Sequence, residues 1–301
     1  MGARILEGKQ VADGVKRGLR ERIAVLEARG VVPGLAVIMV GDDPASASYV
    51  SMKGKACQEL GLRSRALRMP VDLPEDELLK LIDGLNHDPE INGILVQMPV
   101  PKHIDVGKVI AAIDPDKDVD AFHPINVGKM LIGSGDGFLP ATPHGIQVLL
   151  AAYGIDVAGK HVVIIGRSNI VGKPLAAILM QKGKGADATV TVCHSRTRDL
   201  RAITTQADVL VCAVGKAGFV TADMVREGAV VVDVGSNRIE DPAAPRGYRF
   251  VGDVDFEAVR EKASAITPVP KGVGPMTIAM LMYNTVLAAE KALERQGGPK
   301  V

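Results

Sequence analysis

The chain has 301 residues, of which 47% are hydrophobic but only 3% are aromatic, and it contains 33 glycines and no tryptophan. This length allows one large domain or two modest ones, and the abundance of small aliphatic residues is typical of close-packed parallel α/β proteins. A formal net charge of +1 leaves no broad basic surface for nucleic acid or an anionic membrane, so we expect neither as a partner.

Two further features concern the compartment of the protein. The first ten residues lack the apolar core of a signal peptide, and no apolar run comes close to the roughly 20 residues that span a bilayer. Cys57, Cys193 and Cys212 are far apart and lack metal-ligand spacing, so we expect buried free thiols and no bound metal. These features predict a cytoplasmic protein.

The first half of the chain alternates apolar strands with helices. The predicted elements are a strand over 35–40, a helix over 46–60, a strand over 65–69, a helix over 74–86, a strand over 93–97 and a helix over 106–113. This alternation predicts parallel strands joined by crossover helices. The polar stretch 114–143, rich in Gly, Pro and Asp, is expected to be mainly loop, either a hinge or the rim of an active site.

The second half of the chain alternates in the same way. Strands are predicted over 162–165, 188–192, 208–214 and 229–234, with a further short strand over 251–254. A Pro- and Gly-rich segment, 267–277, then leads into a long helix that ends near Arg295. The pattern predicts a second α/β domain.

A glycine-containing turn follows the strand that ends at Ile165. It reads GRSNIVGKP, from Gly166 to Pro174, and leads into a helix. Such a turn offers backbone N–H groups and a helix N-terminus to a pyrophosphate. It departs from the usual G-x-G-x-x-G pattern because Ser168 replaces the middle glycine, so an ordinary strand–helix turn is the alternative interpretation.

The end of the next strand bears on the choice of cofactor. An NAD site usually places an acid there to bind the ribose hydroxyls, but this strand is followed by Ser195 and Arg196. With Arg167 from the glycine turn, these groups suit a ribose 2′-phosphate. We therefore predict NADP as the cofactor, with a solvated basic loop as the alternative.

One lysine stands out on the helix predicted over 46–60. Its apolar face is expected to be buried, and Lys53 lies on that face; the face comprises Tyr49, Lys53, Ala56, Cys57 and Leu60. The helix starts at the carboxyl edge of the sheet, where α/β proteins bind ligands. Gln97 falls at the same edge and could orient the lysine amine without forming an ion pair. The alternative is a lysine that extends to water.

An acidic segment, 114–120, lies near these residues in the predicted fold. Four acids in seven residues are usually a solvated turn, but the segment continues into Ala121 and Phe122. We therefore expect Asp120 to be the acid that faces inward.

Six motifs occur together and in order along the chain. They are Tyr49–Lys53, Gly93–Pro101, Asp116–Asp120, Pro140–Pro143, the Gly166 turn and Gly272–Thr277. In these motifs the chain closely resembles the family of bifunctional methylenetetrahydrofolate dehydrogenase/methenyltetrahydrofolate cyclohydrolase. The resemblance extends from about Leu6 to Leu293, essentially the full chain.

The resemblance implies a two-domain α/β enzyme. An N-terminal folate domain, 1–140, would be completed by the returning C-terminal helix, 275–301, and a Rossmann-type NADP domain would span 141–274. The active site would lie in the cleft between the domains, and the protein would be a homodimer joined through its NADP domains. The enzyme would oxidise methylene-tetrahydrofolate with NADP and then hydrolyse the methenyl product to formyl-tetrahydrofolate at the same site.

The resemblance also implies roles for individual residues. Lys53, Tyr49 and Gln97 would be catalytic. Folate would be bound by Asp120 and Tyr49, together with Pro268, Gly272, Gly274 and Pro275. The cofactor would be bound by Gly166, Arg167, Ser168, Gly172, Pro174, Ser195, Arg196, Val214 and Gly215.

Three residues depart from the family motifs. Ala141 replaces a frequent cysteine, Ala121 replaces the usual glycine after the aspartate, and Lys271 replaces the first glycine of P-G-G-V-G-P. None removes a group that the chemistry needs, but Lys271 adds a charge near the expected folate site. Two alternative functions stay open: an NADP-dependent dehydrogenase of another small substrate, such as a shikimate-type alcohol, and a non-catalytic NADP sensor.

Overall fold

The computed structural model of the protein describes residues 2–244 and 247–297. The chain forms two compact units, and each is assembled from two separate pieces of sequence. Residues 2–12 and 142–277 form the six-strand unit, whereas residues 13–141 and 278–297 form the three-strand unit. Within the described ranges, no helix is both long and apolar enough to cross a bilayer.

The elements alternate along most of the chain. The first half contains β1 (Arg4–Ile5), α1 (Gly8–Glu27), β2 (Gly34–Val40), α2 (Pro44–Leu60), β3 (Arg63–Met69), α3 (Glu75–His87), β4 (Gly93–Val96), α4 (Val106–Ala112) and α5 (Pro124–Ile132). The second half contains α6 (Ala141–Ala152), β5 (His161–Ile165), α7 (Gly172–Leu179), β6 (Thr189–Cys193), α8 (Leu200–Thr204), β7 (Val209–Cys212), β8 (Val230–Asp233), β9 (Asn237–Glu240), β10 (Tyr248–Val251), α9 (Phe256–Arg260), β11 (Ala265–Ile266) and α10 (Val273–Arg295).

A short parallel sheet with the strand order β3-β2-β4 forms the centre of the three-strand unit. The central strand β2 is apolar and buried along its whole length. Helices α3 and α4 cover the sheet through Leu78, Ile82 and Val109, which pack with Ile38 and Ile94. Because the strands are parallel, β2 and β4 end at the same edge, and the loops that follow them meet there.

The six-strand unit has the sheet order β1-β11-β8-β7-β5-β6, with every pairing parallel. Successive residues of β5 belong to different apolar clusters. Val163 and Ile165 pack on one face of the sheet, while Val162 and Ile164 pack on the other. A strand covered on both faces has to be apolar at every position, which explains the continuous run of β5.

The C-terminal helix returns to the three-strand unit, as predicted. In α10, Glu290 accepts hydrogen bonds from the Arg22 guanidinium of α1, one of them from Nε at 2.7 Å. One turn and a half earlier, the side-chain amide of Asn284 donates to the carbonyl oxygens of Val119 and Leu139, at 2.8 and 2.9 Å. The helix therefore ties the start and the end of residues 13–141 together.

Most of 114–143 is loop, as predicted, but the prediction missed a helix within it. This stretch contains α5, and α6 begins at Ala141. Local signals explain α5: the His123 ring nitrogen Nδ1 accepts from the backbone N–H of Ile125, Pro124 starts the helix, and Gly133 ends it with a left-handed φ of 69°. These are ordinary start and stop signals of a helix.

Two other predictions differ from the structure. Of the strand expected over 251–254, only Val251 lies in a strand, as the last residue of β10, which pairs antiparallel with β9; Val254 forms an isolated bridge with Val220. Residues 2–12, which we expected in the first domain with the rest of 1–140, belong to the six-strand unit. The reason is the parallel pairing of β1 with β11, in which Arg4 lies beside Ala265. A two-residue strand leaves no periodic signal in a sequence.

Candidate functional site

The carboxyl edge of the three-stranded sheet carries a buried lysine. Lys53 of α2 is only 9% exposed, and its Nζ donates to Oε1 of Gln97 at 2.9 Å. The backbone N–H of Gln97 donates to the Ile38 carbonyl of β2 at 2.7 Å, and its side-chain amide donates to the Met98 carbonyl at 2.8 Å. Gln97 is thereby fixed from both ends and presents its oxygen to the lysine. This geometry excludes a lysine that merely extends to water.

The environment of Lys53 favours the neutral amine. Burial lowers the pKa of the Lys53 ammonium, and the charge of Asp120 partly opposes this shift. Gln97 contributes no negative charge that would trap the ammonium as an ion pair. A lowered pKa makes the neutral amine, which can accept a proton, more accessible than in a lysine exposed to water.

Asp120 interacts electrostatically with Lys53 and is itself partly buried. Loss of surrounding water raises the pKa of the Asp120 carboxyl to about 6, the Lys53 ammonium lowers it, and the Asp118 carboxylate adds to the rise. The group is therefore a carboxylate at neutral pH but titrates just below it.

Asp118, rather than Asp120, is the most buried acid of the loop, so the prediction that Asp120 faces inward above the others was wrong. Asp118 is 2% exposed. Its carboxylate accepts from the backbone N–H groups of Phe122 and His123, at 3.2 and 2.8 Å, and from the Asn126 side chain at 2.9 Å. Asp118 thus shapes the turn that carries Asp120.

Tyr49 differs from the prediction for its helix face. Ala56, Cys57 and Leu60 are buried as expected, but Tyr49 is 39% exposed. Tyr49 lies one turn before Lys53, toward the N-terminus of α2, where the helix begins beside the edge of the sheet. Its ring is therefore accessible in the same region as the lysine.

The glycine turn after β5 has a steric basis for both of its glycines. A Cβ on Gly166, which has a φ of 127°, would lie 2.2 Å from the Ala213 carbonyl oxygen, and one on Gly172 would lie 2.0 Å from the Gly166 carbonyl oxygen. Only glycine fits such close backbone approaches. Helix α7 starts at Gly172 with no hydrogen bond from a side chain at its N-cap, Val171, and includes Pro174.

Ser168 has a structural role in this turn. Its hydroxyl accepts from the backbone N–H of Val171 at 3.0 Å, and its carbonyl accepts from the N–H of Lys173 at 3.1 Å. The residue that replaces the middle glycine of the usual pattern therefore closes the turn through its own side chain.

Arg167, Ser195 and Arg196 are all exposed. The backbone N–H of His194 donates to the Thr197 hydroxyl at 2.8 Å, and the N–H of Arg196 donates to the His194 ring at 3.1 Å, so this turn has a defined shape. Within residues 2–244 and 247–297, neither Arg167 nor Arg196 forms an ion pair. Both guanidinium groups are available to an anion.

Val214 and Gly215 follow β7, beside the glycine turn. Their backbone N–H groups donate to the buried Asp253 carboxylate at 2.6 and 2.9 Å. These two residues can therefore contact a ligand only through other atoms.

The segment that leads into α10 belongs to the six-strand unit, whereas Lys53, Gln97 and Asp120 belong to the three-strand unit. Of the predicted folate contacts, Pro268 and Pro275 are partly buried, Gly272 is buried and Gly274 is exposed. A Cβ on Gly272 would lie 2.4 Å from the Pro268 carbonyl oxygen. Gly272 is therefore required by packing.

The two departures from glycine have left-handed backbones. Ala121 has a φ of 59° and Lys271 a φ of 84°. Ala121 is fully buried and Lys271 is exposed, whereas Ala141, the third departure, is a buried helical residue. Lys271 therefore has backbone angles that favour glycine, and not those that are usual for a residue with a side chain.

Sequence reasoning missed Asp118 and Asp253. Asp118 is one of four similar acids, and only its contacts with a helix that was itself missed distinguish it. Asp253 follows Gly252 at the end of β10, and a Gly-Asp pair in an apolar context is too common to be informative.

The fold and these side chains define a class: α/β enzymes that combine a lysine-bearing unit with a dinucleotide-type sheet. Two family models match the chain. The "Tetrahydrofolate dehydrogenase/cyclohydrolase, catalytic domain" matches residues 6–120, and the "NAD(P)-binding domain" of the same family matches residues 140–293. The chain belongs to the tetrahydrofolate dehydrogenase/cyclohydrolase family.

Similar proteins agree with this membership. The chain is 58% identical to the "Bifunctional protein FolD" of Dehalococcoides mccartyi strain 195 over 97% of this chain and 98% of that protein. A Campylobacter jejuni methylenetetrahydrofolate dehydrogenase/cyclohydrolase structure is 49% identical, with a TM-score of 0.91 over 97% of this chain and all of that chain.

A Trypanosoma brucei enzyme of the same name, solved with NADP cofactor and an inhibitor, is 37% identical, with a TM-score of 0.92 over 97% of this chain and 99% of that one. By contrast, the shikimate dehydrogenase of Aquifex aeolicus is 13% identical, with a TM-score of 0.51. That likeness concerns the fold alone.

Proposed function

We propose that the protein oxidises methylene-tetrahydrofolate to the methenyl form with NADP and hydrolyses the product to formyl-tetrahydrofolate at the same site. The observation that carries this proposal is the buried Lys53 amine held by the Gln97 side chain at 2.9 Å. Neither a sensor nor a simple binding domain needs a desolvated amine held by a neutral partner.

Lys53 is the proposed proton-handling group of the hydrolysis. In the hydrolysis, water adds to the carbon of the methenyl cation and loses one proton, and the hydroxyl so formed loses the second proton as the bond from that carbon to a ring nitrogen breaks. One of these two protons ends on the ring nitrogen and the other is released to solvent. A neutral Lys53 amine can take a proton from the water and deliver it to the ring nitrogen, and general acid–base catalysis of this kind typically contributes about 100- to 10,000-fold. The bound cation would lower the lysine pKa further.

Asp120 and Tyr49 are the proposed folate-binding side chains of the same edge. The pterin presents amino and ring N–H donors, and a partly buried carboxylate is a strong acceptor for them. The accessible Tyr49 ring offers a flat apolar surface for packing against the substrate. Pro268, Gly272, Gly274 and Pro275 are proposed to contribute further folate contacts.

The six-strand unit fits a dinucleotide. The glycines of the turn at Gly166 and Gly172 allow close backbone approach, and the N-terminus of α7 lacks a side-chain cap, which suits a pyrophosphate. Arg167, Ser195 and Arg196 suit a 2′-phosphate, because an exposed guanidinium group that forms no ion pair with a described residue can bind phosphate in a bidentate manner. Bound NADP would supply the hydride acceptor for the folate carbon.

The test is turnover of the purified protein with methylene-tetrahydrofolate and NADP, followed by NADPH formation, and hydrolysis of methenyl-tetrahydrofolate without cofactor. We expect both reactions. NADP reduction with shikimate but not with methylene-tetrahydrofolate would favour the shikimate-type alternative, and NADP binding without turnover of any substrate would favour the sensor.

The resemblance also leads us to propose a cytoplasmic homodimer joined through the six-strand unit. Light scattering after gel filtration should give about twice the mass of one chain. A monomeric mass at enzyme concentrations that support full activity would contradict the dimer without affecting the proposed chemistry.

A further inference from the structure

One buried carboxylate accepts hydrogen bonds from three consecutive amides of the loop after β7. The backbone N–H groups of Val214, Gly215 and Lys216 donate to Asp253 at 2.6, 2.9 and 2.9 Å. Asp253 is completely buried. Three consecutive amides that point to one anion can take only a narrow range of backbone angles, so the shape of the loop depends on Asp253.

Asp253 is itself held in place by the end of β8 and the start of β9. Its backbone N–H donates to the Asp233 carboxylate at 2.9 Å, and Asn237 donates its side-chain amide to the Asp253 carboxylate at 2.9 Å. A Cβ on Gly235 would lie 2.4 Å from Asp253, so the Gly235 backbone packs against Asp253 too closely for any side chain. Asp253 therefore has contacts that hold it in place besides those with the loop.

The negative charge is important for this arrangement. Four N–H donors converge on the two oxygens of Asp253, and hydrogen bonds to a carboxylate are roughly twice as strong as those to a neutral group. An asparagine has only one oxygen, and its NH2 group would face backbone N–H donors. The loop amides on that side would lose their acceptor.

The residue that precedes these three amides is in contact with the glycine turn. The position of a Cβ on Gly166 lies 2.2 Å from the carbonyl oxygen of Ala213, which directly precedes the loop. A Cβ on Gly215 would meet no atom within 4 Å among the described residues. The chain here therefore combines a close contact with the turn, at Ala213, and an open space beside Gly215.

We propose that Asp253 is a positioning residue for the dinucleotide: by holding the amides of Val214–Lys216, it sets the backbone of the loop that lies beside the Gly166 turn. Asp253 does not touch the ligand. It acts through the carbonyl groups of the loop and the space beside Gly215. This inference rests on the proposed NADP site.

The test compares Asp253→Asn with Asp255→Asn, an exposed neighbour at the N-cap of α9, where asparagine caps equally well. Loss of charged hydrogen bonds predicts a rise of about tenfold or more in the KM for NADP. The kcat at saturating NADP and the cofactor-free hydrolysis of methenyl-tetrahydrofolate should stay within about twofold of wild type. Asp255→Asn should change none of these values.

A role in folding alone would lower the two activities together, and that result, or an unchanged KM for NADP in a folded Asp253→Asn protein, would overturn the inference. If circular dichroism shows that Asp253→Asn does not fold, the inference is tested with Asn237→Ala instead. It removes one donor to Asp253 and should raise the KM for NADP about threefold, and an unchanged KM would overturn the inference. A wild-type protein that fails to reduce NADP would instead overturn the proposed function, and the inference with it.

Discussion

At the scale of single residues, the neutral partner of Lys53 decides what the lysine can do. A carboxylate in place of Gln97 would hold the ammonium as an ion pair and raise its pKa. The Gln97 oxygen instead orients the amine and leaves its proton exchangeable. The Lys53 side chain is therefore the group whose removal should affect hydrolysis most directly.

Lys53→Met keeps the length of the side chain and removes the amine. We expect hydrolysis of methenyl-tetrahydrofolate to be abolished, with NADP binding nearly unchanged. The matched control is Lys55→Met, which alters an exposed lysine of the same helix. Hydrolysis by Lys53→Met within about threefold of wild type would contradict the assignment, because proton transfer should contribute at least about 100-fold.

Asp120 should give folate binding a dependence on pH. Its pKa is raised to about 6, so the carboxylate predominates above pH 6 and is lost as the pH falls through that value. We expect kcat/KM for the folate substrate to fall below about pH 6, since the pterin donors lose their anionic acceptor.

Asp120→Ala should depress both activities, and its kcat/KM should lack this step. Asp72→Ala, which alters an exposed acid, should keep the wild-type profile. Equal folate affinity and equal rates in wild type and Asp120→Ala would assign Asp120 to a solvated turn.

Arg167 and Arg196 should decide between NADP and NAD. Replacing both by Ser should raise the KM for NADP about 100-fold or more, since each charged contact contributes roughly 1.5–3 kcal/mol and about 1.4 kcal/mol corresponds to tenfold. The KM for NAD, which has no 2′-phosphate, should be nearly unchanged. A double Ser variant of the exposed Arg17 and Arg20 controls for net charge. Equal losses with both cofactors would assign the arginines to the pyrophosphate or to the fold.

At the scale of elements, Ala121 and Lys271 both have a left-handed backbone. The net cost of this strain to stability differs between them, because one side chain is buried and the other is exposed. A non-glycine residue in this region costs about 1–2 kcal/mol. The methyl group of Ala121 is buried, and burying one such group returns about 0.8 kcal/mol. The Lys271 side chain is exposed and gains no such compensation.

Lys271→Gly should therefore stabilise the protein. Relief of the strain exceeds the added entropy of the unfolded chain by about 0.5–1 kcal/mol, which corresponds to a rise in Tm of about 1–3 °C. Lys271→Ala removes the ammonium but keeps the left-handed side chain, so its Tm should not rise. Thermal unfolding of the two variants separates the effects, and an equal Tm for Lys271→Gly and wild type would contradict the strain argument.

The same pair of variants tests the charge of Lys271. If the ammonium contacts folate or a cofactor phosphate, both variants should weaken the binding of that ligand and flatten its dependence on salt. KM values that are unchanged at low and at high salt would make Lys271 a neutral surface substitution.

At the scale of the whole molecule, the sequence predicted the strands that have an apolar pattern of their own. It did not predict a strand that is defined only by its tertiary contacts. Strands β2, β4, β5 and β7 are continuous apolar runs because they are buried on both faces, and such runs are visible directly. The two-residue strand β1 is defined only by its pairing with β11, so neither its existence nor its unit could be predicted.

The residues of the candidate site likewise fall into those that the sequence could predict and those that it could not. Lys53 and Gln97 could be paired from the sequence because both follow from the parallel sheet, and their hydrogen bond confirms that placement. Asp118 and Asp253 could not be found, since their importance depends on hydrogen bonds from backbone N–H groups of loops, and such bonds leave no sequence signature.

The discontinuity of both units has a consequence for synthesis on the ribosome, where the N-terminus emerges first. Strand β1 emerges long before its partner β11, and residues 13–141 are completed only by 278–297 of α10. Because domains generally fold as units, neither half can reach its final packing until nearly the whole chain has been translated. A nascent chain that stalls before α10 would leave Arg22 and the carbonyls of Val119 and Leu139 without Glu290 and Asn284, although Lys53, Gln97 and Asp120 would already be present.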